Sequence, residues 1–308
     1  MAGSDESGEA GVPGPVPFYL RPDVQPLSSR VQVTYGARSR RGRDHATNSD
    51  HYLILEWGRQ QLTLQTSLPD GLIPPRFDEF GYAMVVADGM GAFGDGEIAS
   101  RIAISTLAHL MLQFGKWNLR IDDRVAQEIM GRARRFYSYV DSEVVQHGLK
   151  SKSKSQTTLT ATFGAGRDLF FAHVGHSRAY LRRAGRLMRL TRDHTVGAGG
   201  RPSTLAVAPL LDVDAAARDL QHVLTDAIGM SGGVGPKIDI ERIRLEDDDR
   251  VLVCTNGLTD AVDEALLGEI LGSDRSPDEQ SEMLVDLAVV SGGEDDVTAL
   301  VARYRIPE

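Results

Sequence analysis

The sequence predicts an α+β fold in which antiparallel sheets carry helices on their outer faces. Strand-length apolar runs follow one another as meanders, and the long helical patterns come in blocks. A turn-rich tetrad, Arg182-Arg183-Ala184-Gly185, folds one pair of runs into a hairpin. A doubly wound parallel sheet needs a helix between each pair of strands, and that alternation is absent.

Residues 1–27 are rich in Gly, Pro, Ser and acid, show no apolar period, and are expected to form a disordered tail. From 28 to 308 apolar runs and turn signals continue without an internal repeat, which predicts one domain. Residues 83–87 form a short apolar strand. Asp95 is a candidate N-cap, with Glu97 at the positive helix end, and Ala99, Ile102, Thr106, Leu110 and Phe114 recur at helical spacing. A second helix opens at Asp122 or Asp123, carries Val125, Ile129, Phe136, Val140 and Val144 on one stripe, and stops near Gly148.

Residues 157–163 alternate, 168–174 lead into a strand over 178–181, and the hairpin returns through 187–190. The stretch 197–219, with Pro202 and Pro209, predicts a surface excursion. Strands follow over 237–245 and 251–254. Ser276-Pro277-Asp278-Glu279 is a capping box with Pro at the first helical position, opening a helix that ends before Gly292-Gly293. Residues 297–306 alternate once more.

Charge and composition exclude several functions. There are 43 acidic and 34 basic residues, a formal charge of −9, so the broad positive field used in nucleic-acid binding is missing. A single cysteine, Cys254, makes neither an internal disulfide nor a thiolate cluster. No run approaches the roughly 18–20 apolar residues that span a bilayer, and the N-terminus lacks a secretory pattern. The expectation is a soluble, cytoplasmic, monomeric protein with no nucleic-acid or membrane partner.

Oxygen-bearing side chains gather at the strand ends. Asp88 follows the strand over 83–87 and precedes Gly89-Met90-Gly91. Asn256-Gly257 follows 251–254, Asp295-Asp296 precedes Val297, and Asp50 follows an Arg-rich loop. A hard divalent cation needs several oxygens, some of them main-chain carbonyls beside glycines. Each site taken singly also reads as a turn dipeptide.

In order along the chain, these segments resemble the metal-dependent serine/threonine protein phosphatases of the PPM, or type 2C, family in their bacterial style. The resemblance covers 31–306. It rests on Val85-Val86-Ala87-Asp88-Gly89-Met90-Gly91 with Gly96-Glu97-Ile98-Ala99-Ser100, and on Thr157-Thr158. It continues through Ala172-His173-Val174-Gly175-His176-Ser177-Arg178, Leu190-Thr191-Arg192-Asp193-His194-Thr195 and Leu224-Thr225-Asp226-Ala227-Ile228-Gly229. Cys254-Thr255-Asn256-Gly257-Leu258-Thr259-Asp260 and Gly293-Glu294-Asp295-Asp296-Val297-Thr298 complete it.

The resemblance implies a four-layer α-β-β-α sandwich of two antiparallel sheets flanked by helices. It also implies two Mn²⁺ or Mg²⁺ ions in a cleft at one end, and in-line attack of a metal-activated water on phosphoserine or phosphothreonine. The implied substrates are phosphorylated proteins of a cellular serine/threonine kinase. Asp88 bridges both metals, Gly89 offers its carbonyl, Asp295 is a further ligand, and Asp50 holds metal-bound water.

Four positions depart from the family pattern. Asn256 stands where the family has a second metal aspartate, which weakens the first metal site. Asp296 replaces the neighbouring asparagine and is expected to restore part of that charge. His176 replaces an aspartate that supports a weaker third metal, and a neutral imidazole prefers softer ions. His45 occupies the place of the phosphate-binding arginine, with Arg43 and Arg41 nearby as alternative cations. These departures keep a second reading open: a pseudophosphatase with an impaired metal centre, acting as a binding or regulatory module. Cys254, Trp57, Trp117, His173 and His194 read as packing or structural residues.

Overall fold

The computed structural model describes residues 30–69, 72–91, 95–115, 121–198, 220, 222–230 and 235–307. The tail expected over 1–27, the excursion over 199–219 and Trp117 lie outside the described residues.

Eleven strands form two sheets among the described residues, and every pairing is antiparallel. One sheet contains β1 (Gln32–Arg40), β11 (Val297–Arg305), β10 (Arg250–Cys254), β7 (Arg178–Arg183) and β8 (Arg186–Arg189), in that order. The other runs β2 (Asp50–Leu62), β3 (Arg76–Met90), β5 (Leu159–Ala165), β6 (Asp168–Val174), β9 (Asp239–Arg244), with the short β4 (Gln156–Thr157) on β3. The helices are α1 (Asp95–Phe114), α2 (Asp123–Ser151), α3 (Asn256–Thr259), α4 (Glu264–Gly272) and α5 (Pro277–Val290).

The period-two direction of strand side chains turns these elements into four layers. On β3, Val85 and Ala87 face α1 and α2, where they meet Ala99, Ala103, Leu107, Phe136, Val140 and Val144. Met84 and Val86 point the other way, against Val251, Val253, Leu300 and Ala302 of the opposing sheet. The outer face of that sheet, with Leu252, Ala299 and Val301, packs on Leu258, Leu267, Leu271, Leu284 and Val285 of α3 to α5. Both faces of the central strands are buried, which is why their sequences read as continuous apolar runs.

Several expected elements shift. In α1 the buried stripe is Ala99, Ala103 and Leu107, and Phe114 is exposed at the C-terminal end. Asp95 lies within the first turn of α1. Asp122 caps α2 by accepting from Val125 N at 2.7 Å, and the helix passes Gly148 to a left-handed Lys152. Strand β7 extends through Arg183, so the turn is Ala184-Gly185 alone, both at positive φ as a two-residue hairpin requires. The capping box of α5 forms as expected: Ser276 Oγ accepts from Glu279 N, while Ser276 N donates to Glu279 Oε2 at 2.9 Å. Strand β3 is 15 residues long, well beyond its apolar centre, because β2 pairs with it along its full length from Leu62–Arg76 to Asp50–Asp88.

Candidate metal centre

The strands deliver their polar ends to one end of the sandwich. Asp50 opens β2 and pairs in register with Asp88 near the end of β3. On the facing sheet, Cys254 of β10 lies opposite Ala299 of β11, so Asn256 just beyond one strand and Asp295-Asp296 just before the other reach the same end.

Threonines join the two sheets there. Asp50 Oδ2 accepts from Thr255 Oγ1 at 2.8 Å and from Thr298 Oγ1 at 2.7 Å. Its other oxygen, Oδ1, is buried without a partner. Asp88 is held through its backbone: its N–H donates to Thr158 Oγ1 at 3.0 Å, and its carbonyl accepts from Thr157 Oγ1 at 2.9 Å. Gly89 meets the start of α1 so closely that a Cβ there would stand 2.0 Å from Gly96 O. Only glycine allows β3 and α1 to cross at this point.

Asn256 is 7 % exposed. Its Nδ2 donates to Asp260 Oδ2 at 3.0 Å and lies 3.5 Å from Asp295 Oδ2. Two carboxylates on the amide nitrogen fix the side-chain orientation, which leaves Oδ1 buried and unpartnered. His176 is likewise buried with Nδ1 unpartnered, 3.7 Å from Asp88 Oδ2. Burial lowers its pKa to about 4, so the imidazole is neutral at pH 7 and makes no ion pair with Asp88.

The acids are destabilised where they sit. Burial, followed by Asp296 and Asp295, raises the Asp50 pKa to about 7 against the pull of its two threonine donors. Asp88 lies well above the carboxylate range for the same first reason, with Asp50, Asp295, Asp296 and Asp260 adding repulsion. Buried carboxylates that repel one another, beside lone pairs with no donor, are the complement of a cation. The residues present therefore fit a divalent metal: Asp88 and Asp295 offer carboxylates, Asn256 an amide oxygen and Gly89 a carbonyl, with Asp50 beside them to hold water.

Asp296, expected from sequence to restore part of the charge missing at Asn256, is buried and hydrogen-bonded on both oxygens. Its Oδ1 accepts from Gly42 N and its Oδ2 from Ser49 N, both at 2.7 Å. Both oxygens thus clamp the loop between β1 and β2, and no hydrogen bond joins them to Asn256. His45 in that loop lies 3.1 Å from Asp296 Oδ1 and 3.8 Å from Asp295 Oδ1, and its pKa is raised chiefly by the Asp296 contact. Arg43 is exposed, and Arg41 donates to the His45 carbonyl. Sequence reading singled out no role for Thr255, Thr298 or Asp260, although all three stand in the quoted segments.

His194 and His173 are structural here. His194 Nε2 is 3.0 Å from Asp239 Oδ2, and His173 bridges Thr160 and the Arg192 carbonyl. Cys254 is buried, and Trp57 stacks on Phe163 at 5.0 Å.

The fold is a two-sheet sandwich whose strand ends gather acids and unpartnered oxygens suited to a divalent cation. The family model described as Protein phosphatase 2C matches residues 75–274, and the chain belongs to that family. The serine/threonine phosphatase stp of Listeria welshimeri is 30% identical over 225 residues, covering 72% of this chain and 84% of the relative. The serine/threonine protein phosphatase PstP of Mycobacterium tuberculosis is 30% identical over 243 residues, covering 75% of this chain and 43% of the relative. The crystal structure of the PstP catalytic domain in complex with 2 manganese ions superposes with a TM-score of 0.61 at 26% identity, covering 89% of this chain and 99% of that one. The S. agalactiae serine/threonine phosphatase shares the fold at TM-score 0.66 and 23% identity, covering 88% of this chain and 99% of that one. Among the described residues no helix is long and apolar enough to cross a membrane.

Proposed function

We propose that the protein is a metal-dependent protein serine/threonine phosphatase that hydrolyses phosphoserine and phosphothreonine esters, opposing a serine/threonine kinase as a cytoplasmic monomer. The observation that carries this reading is the set of buried, unpartnered ligand atoms, Asp50 Oδ1 and Asn256 Oδ1, beside Asp88 in a member of this family.

Asp88 would hold both metals and Gly89 would offer its carbonyl to one of them, with Asn256 and Asp295 completing the first. The ions, Mn²⁺ or Mg²⁺, supply an acidified water and neutralise the phosphoryl oxygens when bound. The other steps fall to this chain's side chains. Asp50, held rigidly by Thr255 and Thr298, keeps Oδ1 free to orient the attacking water and take its proton. His45, made more basic by Asp296, binds the phosphate and gives its proton to the departing alkoxide, and exposed Arg43 adds positive charge at the rim. Water adds to phosphorus as the ester P–O bond breaks, leaving inorganic phosphate and the free hydroxyl.

The test is hydrolysis of a phosphothreonine peptide with Mn²⁺. The expected result is turnover that is abolished by chelator and falls at least about 100-fold in Asp88→Asn. Turnover that survives the chelator would contradict it. The uncharged Asn256 favours a second reading, a pseudophosphatase; it gains if the wild type stays at background while Asn256→Asp acquires activity.

A further inference from the structure

We infer that His176 is a metal ligand through Nδ1, so that the ion beside Asp88 sits in a mixed nitrogen and oxygen set that favours a first-row transition ion over Mg²⁺. This deepens the proposed phosphatase reading and rests on it.

His176 is 7 % exposed, yet its Nδ1 has no hydrogen-bond partner. An orphaned imidazole nitrogen in a folded interior calls for a specific explanation. Its nearest carboxylate atom is Asp88 Oδ2 at 3.7 Å. That separation is too long for a hydrogen bond. It suits two donor atoms that share one ion, each about 2 Å from it.

The pair is held in place by its surroundings. His176 lies in the tight connection between β6 and β7, where Gly175 adopts φ +110° and gives its carbonyl to His194 N at 2.8 Å. A Cβ on Gly175 would lie 2.5 Å from Thr158 Cγ2, so this connection is seated against Thr158. Ser177 Oγ is 2.7 Å from Thr158 Oγ1, and the same Thr158 oxygen accepts from Asp88 N at 3.0 Å. One threonine therefore fixes the backbones on both sides of the gap, and the two donor atoms are preorganised before any ion arrives. Imidazole suits later first-row ions, whereas Mg²⁺ prefers oxygen and water.

Pulsed electron paramagnetic resonance on the full chain loaded with Mn²⁺ tests this directly. The expected result is a ¹⁴N coupling to the bound ion that disappears in His176→Asp and in His176→Gln. The Gln variant keeps a neutral polar side chain and guards against a folding defect. In competition binding, His176→Asp should move the Mn²⁺ over Mg²⁺ preference toward Mg²⁺ by about tenfold or more. Bound Mn²⁺ without ¹⁴N coupling in the wild type, or a coupling that persists in both variants, would overturn the inference and leave the phosphatase reading standing. Failure to bind Mn²⁺ at all would overturn both.

Discussion

The carboxyl of Asp50 accepts two threonine hydrogen bonds on one oxygen and none on the other, with Asp296 and Asp295 adding repulsion. Its pKa rises from 3.8 to about 7 in the fold, so between those values the metal-free native state holds a proton that the unfolded chain has released. Stability therefore falls as pH rises through this window, by on the order of a few kcal/mol. The buried imidazoles of His173 and His176 act in the opposite direction below about pH 6.5, so the Asp50 effect is read as a difference between two proteins. In chelator, the melting temperature of the wild type relative to Asp50→Asn is expected to drop between pH 5 and pH 8, leaving the variant more stable at pH 8 by roughly 2–4 °C per kcal/mol recovered. A difference between the two proteins that is flat or opposite in sign over this range would contradict the account.

The identities of Asp88, Asp295 and Asn256 were legible in sequence because each stands in a short motif. The threonines that grip Asp50 were not, because they lie 205 and 248 residues away and meet it only when the sheets close.

The loop between β1 and β2 shows what one acidic residue does for a whole connection. Asp296 collects the backbone N–H groups of Gly42 and Ser49 and faces His45. Sequence alone suggested that its charge supports the metal centre, and that charge does bear on Asp50 and Asp88; its hold on a loop more than 240 residues earlier is what no local pattern reports. Asp296→Asn replaces one acceptor with a donor, so it should cost about 1–3 kcal/mol in urea unfolding. Its Mn²⁺ affinity should change by far less than the about 10- to 100-fold typical of lost metal support. An affinity loss in that range would show that Asp296 acts on the metal after all. The N-terminal boundary of α5 was legible to the residue, since a capping box is local chemistry. The buried face of α1 was legible in part: Ala99 is buried and Ile102 and Leu110 pack against the core, but Ala103, Ile104 and Leu107 sit deeper because the packing partners, β3 and α2, decide which apolar positions turn inward.

Across the whole molecule, the inter-sheet layer holds the two halves of the centre in register. Leu300 is fully buried in it, among Met84, Val86, Val251 and Val253. Leu300→Ala should destabilise by about 2–5 kcal/mol through the cavity it leaves. Turnover at saturating Mn²⁺ and low temperature should nonetheless persist, since β11 still delivers Asp295 and Thr298. Loss of turnover without loss of stability would mean that the layer does more than pack. Antiparallel sheets with helices outside were legible from meandering strands and blocked helices, and the four-layer order from the family resemblance. The pairing of β1 with β11 and of β2 with β3 was not, because edge strands carry weak apolar patterns and their partners are set by topology.

The net charge of −9 gives no broad positive field, and the acids at the candidate centre are part of it. The central claim is that this acid cluster is a divalent-metal phosphatase centre weakened by one missing charge at Asn256. Phosphothreonine-peptide hydrolysis measured across a Mn²⁺ titration, for the wild type and Asn256→Asp, tests it most directly. The account predicts saturable, Mn²⁺-dependent turnover in both, with the half-saturating Mn²⁺ concentration at least about tenfold lower in the variant. Equal half-saturation in the two proteins, or wild-type turnover indifferent to Mn²⁺, would contradict it.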